Sequence, residues 1–197
     1  MTTNNKIELM APAGNFESLQ AALDNGCDSV YFGVEQLNMR ARASVNFTMD
    51  DLAEIAKRCE AKNVRSYLTL NTIIYDHDLS VVKTLINKAK EANITAVIAS
   101  DQAVIAMARS VGMEVHISTQ LNVTNIETIK FYSLFADTMV LSRELSLRQV
   151  KKITEQIEKE QIKGPNGNLV EIEIFGHGAL CMAVSGKCYL SLHSHNS

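Results

Sequence analysis

The sequence predicts an α/β chain, an incomplete (β/α)8 TIM-like barrel of about seven parallel strands and six helices. Three observations predict it. Short β-branched apolar runs alternate with helix-period segments between residues 7 and 175. The runs mostly lack strict in–out alternation, as expected of parallel strands covered on both faces. No G-x-G-x-x-G follows the first run, which weakens the open dinucleotide-binding alternative. A full barrel takes eight units and roughly 250 residues, so seven strands in 197 residues fall one unit short. The length predicts one domain over residues 1–197.

Each element has a local reason. The strand candidates are "IELM" (7–10), "SVYFG" (29–33), "RSYLTL" (65–70), "AVIAS" (96–100), "EVHIS" (114–118), "TMVLS" (138–142) and "VEIEIF" (170–175). The first helix, 16–25, stops at Gly26, a residue suited to a left-handed C-terminal cap. The second, 49–61, follows Thr48 with Asp51 three residues on, close to a capping box. Its Leu52, Ile55, Ala56 and Cys59 recur at three-and-four spacing. The third spans 79–92 after a polar, acidic run. The fourth, 102–111, starts after Ser100-Asp101 and stops at Gly112. The fifth, 126–135, and sixth, 147–159, open on Thr124-x-x-Glu127 and Ser146-x-x-Gln149, both capping-box patterns. The turn-rich "KGPNGN" (163–168) reads as a surface loop on the side away from the site.

Composition removes several function classes. The net charge is −3 and the pI about 6.0, which argues against a generally basic nucleic-acid surface. No run of about 18 apolar residues predicts a membrane span. The start lacks a signal-peptide pattern. A cytoplasmic protein with reduced thiols is expected, so paired cysteines read as metal ligands or reactive groups. H-E-x-x-H, G-x-S-x-G and P-loop signatures are absent.

In either α/β architecture, sites form at the carboxyl ends of the strands. There the sequence places Arg40 and Arg42 in a long second loop, Asn71, Gln120 and Asn122, Arg143 and Glu144, and His177. Together they predict a polar, partly cationic mouth suited to a carboxylate or phosphate gripped by arginine. Each residue also has a plainer reading. Asn71 and Gln120 suit loop backbone groups, Arg143 and Glu144 suit an ion pair or the next helix start, and loop arginines are often solvated. The shared strand-end position favours function.

The cysteines divide into two kinds. Cys27, beside a strand, and Cys59, on an apolar helix face, read as packing residues. Cys181 and Cys188 lie in "GHGALCMAVSGKC", a glycine-containing segment at a strand end, with His177 before them and His193 and His195 after. Gly178 and Gly186 permit the backbone turns that convergent ligands need. A zinc site takes four ligands, which those histidines complete. An iron–sulfur cluster takes four cysteines. Two unligated thiols remain the alternative.

"HGALCMAVSGKCYLS" resembles the cysteine-containing signature of the collagenase-like peptidase family, which also holds the tRNA uridine and 23S rRNA cytidine hydroxylation proteins. "ELMAPAGNFESLQAALDNGCDSVYFG", "MRARASVNF", "STQLNVTN" and "LSRELSL" resemble further family blocks, in order and across nearly the whole chain. The resemblance implies a barrel-like domain followed by further sequence. It also implies a 4Fe–4S cluster whose first two ligands match Cys181 and Cys188. The other two are expected beyond Ser197, so the chain is expected to be an N-terminal fragment that binds the cluster incompletely or not at all. The resemblance implies tRNA as partner, 5-hydroxyuridine formation at the wobble position, and dependence on prephenate. A dicarboxylate of that kind suits the arginine-bearing mouth. A peptidase of undefined mechanism and a non-catalytic RNA- or subunit-binding partner are the alternative functions. A barrel lacking its last strand exposes two sheet edges, from which homo-oligomers are expected.

Overall fold

The structure is a computed structural model, and it describes residues 7–34, 47–178 and 183–186. The chain divides into two compact units, Met1–Met113 and Glu114–Ser197. Among the described residues they hold seven strands and six helices in regular alternation.

The first unit carries β1 (Met10–Pro12), α1 (Phe16–Asp24), β2 (Ser29–Gly33), α2 (Leu52–Ala61), β3 (Arg65–Leu70), α3 (Leu79–Glu91), β4 (Ala96–Ala99) and α4 (Gln102–Ser110). Its four strands are parallel neighbours in chain order, with Met10 beside Ser29, Tyr31 beside Tyr67, and Tyr67 beside Ala96. Alternation sends successive side chains to opposite faces. On one face Tyr67, Ala96 and Ile98 form a cluster, against which Met10 and Tyr31 pack. On the other, Val30, Phe32, Leu68, Leu70, Val97 and Ala99 are buried. Burial on both faces explains why these strands read as continuous apolar runs. Val82, Leu85, Ile86 and Ala89 form the buried stripe of α3. Each of its larger side chains contributes roughly 1.5–3 kcal/mol by leaving water.

The first strand begins later than the sequence suggests. Ile7 and Leu9 are exposed, and the ladder starts at Met10. The residues before it are fastened by polar groups instead. Leu9 N donates to Asp28 Oδ2 at 2.9 Å. Tyr67 Oη donates to Glu8 Oε1 at 2.7 Å, and Arg65 pairs with the same carboxylate. The second helix opens as a 3-10 turn, Met49–Asp51, on the expected Thr48–Asp51 capping box.

The second unit carries β5 (Glu114–Ile117), α5 (Ile126–Tyr132), β6 (Thr138–Val140), α6 (Leu147–Glu160) and β7 (Glu171–Glu173). Its strands are again parallel and in order, with His116 beside Thr138, and Thr138 beside Glu171. The Ser146–Gln149 capping box forms as expected. The fifth helix differs. Asn125, not Thr124, is its N-cap, and the Asn125 side chain accepts from Thr128 N. Asn is as good a cap as Thr, and one residue of register decides between them. This helix also ends at Tyr132, short of the apolar run that suggested residue 135; Phe131, Leu134 and Phe135 are exposed. The 163–168 segment precedes β7, on the amino-terminal side of the strands, as expected. Gly164 lies so close to Asp137 that a Cβ there would stand 2.5 Å from its Oδ1 and 2.8 Å from its Cα. Asn166 N donates to the same Oδ1 at 2.9 Å.

Candidate functional site

In the second unit the loops after β5 and β6 are welded by short polar bonds. Ser118 closes β5 and accepts from Gln120 N, starting a 3-10 turn, Thr119–Leu121. Asn122 ends that turn in the left-handed region, φ +54°. This conformation turns the Asn122 side chain to accept from Ser142 Oγ at 2.7 Å. Ser142 N donates to Val123 O at 3.0 Å. Ser118 and Ser142 are both buried, so these bonds are shielded from competing water.

A second set of bonds brings in a distant segment. Ser185 is fully buried. Its Oγ accepts from Arg143 N at 3.2 Å and from Arg143 Nε at 3.3 Å. Its backbone N–H donates to Glu144 Oε1 at 2.6 Å. Burial pushes the Glu144 carboxyl up, but it is outweighed. The backbone N–H groups of Ser185 and Glu144, the Ser185 hydroxyl and the Arg143 charge hold it below the usual carboxylate range. Gly186 follows at φ +72°, and a Cβ there would stand 2.4 Å from Gln120 O. Only glycine combines that conformation with that approach.

Deeper in the same unit His116 is buried, with Nε2 3.2 Å from Glu114 Oε1 and Nδ1 3.7 Å from Glu173 Oε2. Burial pulls its pKa down, but the hydrogen bond to Glu114 and the charges of Glu114 and Glu173 win and hold it above the usual histidine value. Glu114 and His116 sit two apart on β5, so they share one face.

The expected site residues separate accordingly. Gln120, Asn122, Arg143 and Glu144 are brought together, joined by Ser118, Ser142, Ser185 and Gly186. Asn122 and Glu144 are engaged in holding loops, while the Arg143 side chain, although bonded through Nε, remains exposed. Asn71 is half-buried directly after β3 in the first unit, and His177 is exposed beyond β7. Arg40, Arg42, Cys181, Cys188, His193 and His195 lie outside the described residues. Val34 and Phe47, described residues on either side of the two arginines in sequence, form a parallel bridge. Among the described residues no group of three His, Cys, Asp or Glu is arranged to hold a metal ion. Cys27 and Cys59 are buried as expected; burial pushes both thiols up, Cys59 to about 11.

Sequence reasoning missed Ser185, Ser142 and His116. Lone serines carry no motif. The Glu114-x-His116 and Glu171-x-Glu173 spacings were a usable signal, because period-2 charge on a strand loads one face.

Comparison with known proteins decides the kinship. The model of Peptidase family U32 matches residues 14–197. The chain belongs to peptidase family U32. A collagenase of Porphyromonas gingivalis is 58% identical over 193 residues, 98% of this chain and 47% of that protein. The "tRNA hydroxylation protein P1" of Bacillus subtilis is 32% identical over 191 residues, 95% of this chain and 42% of that protein. The chain thus spans less than half the length of these curated relatives. The solved structure of a U32 peptidase matches with a TM-score of 0.64 at 14% identity, covering 88% of this chain and 69% of that one. That likeness shows the fold, an incomplete (β/α)8 chain of the TIM type, as the alternation predicted. Among the described residues no helix is long and apolar enough to cross a membrane.

Proposed function

We propose that this U32 chain serves RNA hydroxylation, acting on the wobble uridine of tRNA, with Cys181 and Cys188 as two of four thiolate ligands of a 4Fe–4S cluster. The observation that carries the reading is the fastening of Ser185 and Gly186, which lie between the two cysteines, against the ends of β5 and β6. Sites in this fold class form at that end. The tRNA-hydroxylation relative, matched over 95% of this chain, supports the substrate class.

The donor chemistry fits half of such a group. Cluster iron takes thiolates, and two thiols flank a fastened turn. Cys27 and Cys59 are buried, and burial pushes both thiols up. When bound, a cluster of this kind supplies single electrons. The exposed Arg143 guanidinium offers fixed donors to an anion, suited to a dicarboxylate such as prephenate or to an RNA phosphate. Asn122 and Ser142 hold the loop that presents it.

A second reading, peptide-bond hydrolysis of a collagen-like substrate, is favoured by the 58% identity to a protein named collagenase. Zinc on the same thiolates would fit that reading better than iron. Anaerobic reconstitution of the full-length protein separates the two. Bound iron with broad visible absorption that disappears in Cys181→Ser supports the first reading. Stoichiometric zinc without that absorption, together with cleavage of denatured collagen by protein free of host proteases, replaces it with the second.

A further inference from the structure

We infer that Tyr75 and His77 form a stacking platform for an unpaired nucleobase of an RNA substrate. The inference rests on the RNA reading above and deepens it by naming side chains that hold a base.

The platform lies in the loop that leaves β3, residues 71–78. That is the carboxyl end of the strand, where sites form in this fold class. The loop is poorly covered. Ile73 is 53% exposed and Tyr75 60%, and the His77 side chain is 80% exposed. The Tyr75 and His77 rings are parallel to within 4°, with centroids 5.8 Å apart, inside the range of offset aromatic stacking. Apolar residues scattered singly on a surface are ordinary. Two parallel rings open to solvent at a strand end are a different feature, a ready π-surface.

The turn beneath them does not depend on the rings. Asp76–Asp78 forms a 3-10 turn ahead of α3. Tyr75 N donates to Asp78 Oδ2 at 2.9 Å, and Asp78 N donates to Tyr75 O at 2.8 Å. Both bonds use the Tyr75 main chain, so they fix the backbone under the first ring whatever its side chain is. Asp78 Oδ1 also lies 3.5 Å from His77 Nε2, so the same carboxylate steers the second ring. A surface ordered beforehand gives up little conformational entropy when a partner stacks on it.

The local chemistry selects a base rather than a phosphate. Single-stranded RNA is recognised by stacking splayed bases on rings such as those of Tyr and His. Asp76 lies between the two ring-bearing residues in sequence and is exposed, and its carboxylate repels the phosphate backbone. The face of a base carries no net charge and meets no such repulsion. A base inside a duplex is already stacked and paired, so an unpaired base is the form that fits.

The test uses the full-length protein and a short single-stranded RNA with 2-aminopurine at one position, whose fluorescence falls when that base stacks. Wild type should quench it. Tyr75→Phe keeps the ring and should bind within about twofold of wild type, whereas Tyr75→Ala should bind at least about fivefold more weakly, with a loss in the same direction for His77→Ala. The Tyr75→Ala loss should be equal at about 50 mM and about 200 mM salt, because stacking releases no counterions. Annealed to its complement, the same RNA should bind wild type and Tyr75→Ala alike, which a general loss of structure would not allow. Equal binding of the single strand by wild type and Tyr75→Ala overturns the platform and leaves the RNA reading standing. No binding by wild type overturns both. A Tyr75→Ala loss that is as large for the duplex, or Tyr75-dependent binding of a collagen-like peptide in place of RNA, also overturns the platform.

Discussion

Replacing Glu114 by Gln should destabilise the protein at pH 6 and much less at pH 9. His116 is buried between two carboxylates from different strands, at 3.2 Å from Glu114 and 3.7 Å from Glu173. The shorter contact is a hydrogen bond to an ion when the ring is protonated, and such bonds contribute about 1.5–3 kcal/mol. Gln retains an acceptor of the same shape but removes the charge, and Glu173 still faces the ring. About 1–2 kcal/mol should therefore be lost, or about 2–4 °C of Tm per kcal/mol for a chain of this size. The pH dependence has a definite sign. The folded pKa of His116 lies above its unfolded value, so its contribution is fully present below about pH 6.5. It is lost as pH rises through the raised folded value. Thermal or urea melts of wild type and Glu114→Gln across this range give the difference directly. A difference that is equal at pH 6 and pH 9, or larger at pH 9, would refute the reasoning that Glu114 holds a proton on His116 which is lost across this range.

Three further expectations follow from local geometry. Gly164→Ala puts a methyl group against Asp137 backbone and side chain at 2.5–2.8 Å; an unfolding free energy lowered by about 1–3 kcal/mol in urea melts is expected. Asn125→Ala should cost about 1 kcal/mol by uncapping α5, whereas Thr124→Ala should be nearly neutral in the same melts; the reverse order would restore the cap to Thr124. Cys59, with its thiol pushed up to about 11, should react with iodoacetamide at pH 8 about 100-fold more slowly than an ordinary free thiol.

Much of the fold was legible because the parallel strands are buried on both faces. The apolar runs at 29–33 and 65–70 became β2 and β3 without change. Gly26 and Gly112 end their helices at positive φ, where glycine alone is unstrained. Legibility failed where pairing partners decide the limits. The run at 170–175 yields only Glu171–Glu173, because its neighbour β6 offers three residues. It failed again at Tyr132, where apolar residues continue past the end of the helix.

The site was legible only as a position in the fold. Strand ends gave Gln120, Asn122, Arg143 and Glu144, and the structure joins those four. Their contacts were not legible, because Gln120, Arg143 and Glu144 meet Ser185 and Gly186 from 41 residues away or more and Asn122 meets Ser142 from 20. A serine that fixes a loop and a serine that faces water look alike in sequence. The cysteine pair was visible in the sequence, and both cysteines lie outside the described residues.

The most direct test of the central claim is nucleoside mass spectrometry of tRNA from a strain lacking the gene, complemented with the full-length protein. The account predicts that 5-hydroxyuridine-derived wobble nucleosides fall in the deletion strain, return with wild type, and do not return with Cys181→Ser. Unchanged nucleosides in the deletion strain, or full recovery with Cys181→Ser, would contradict it.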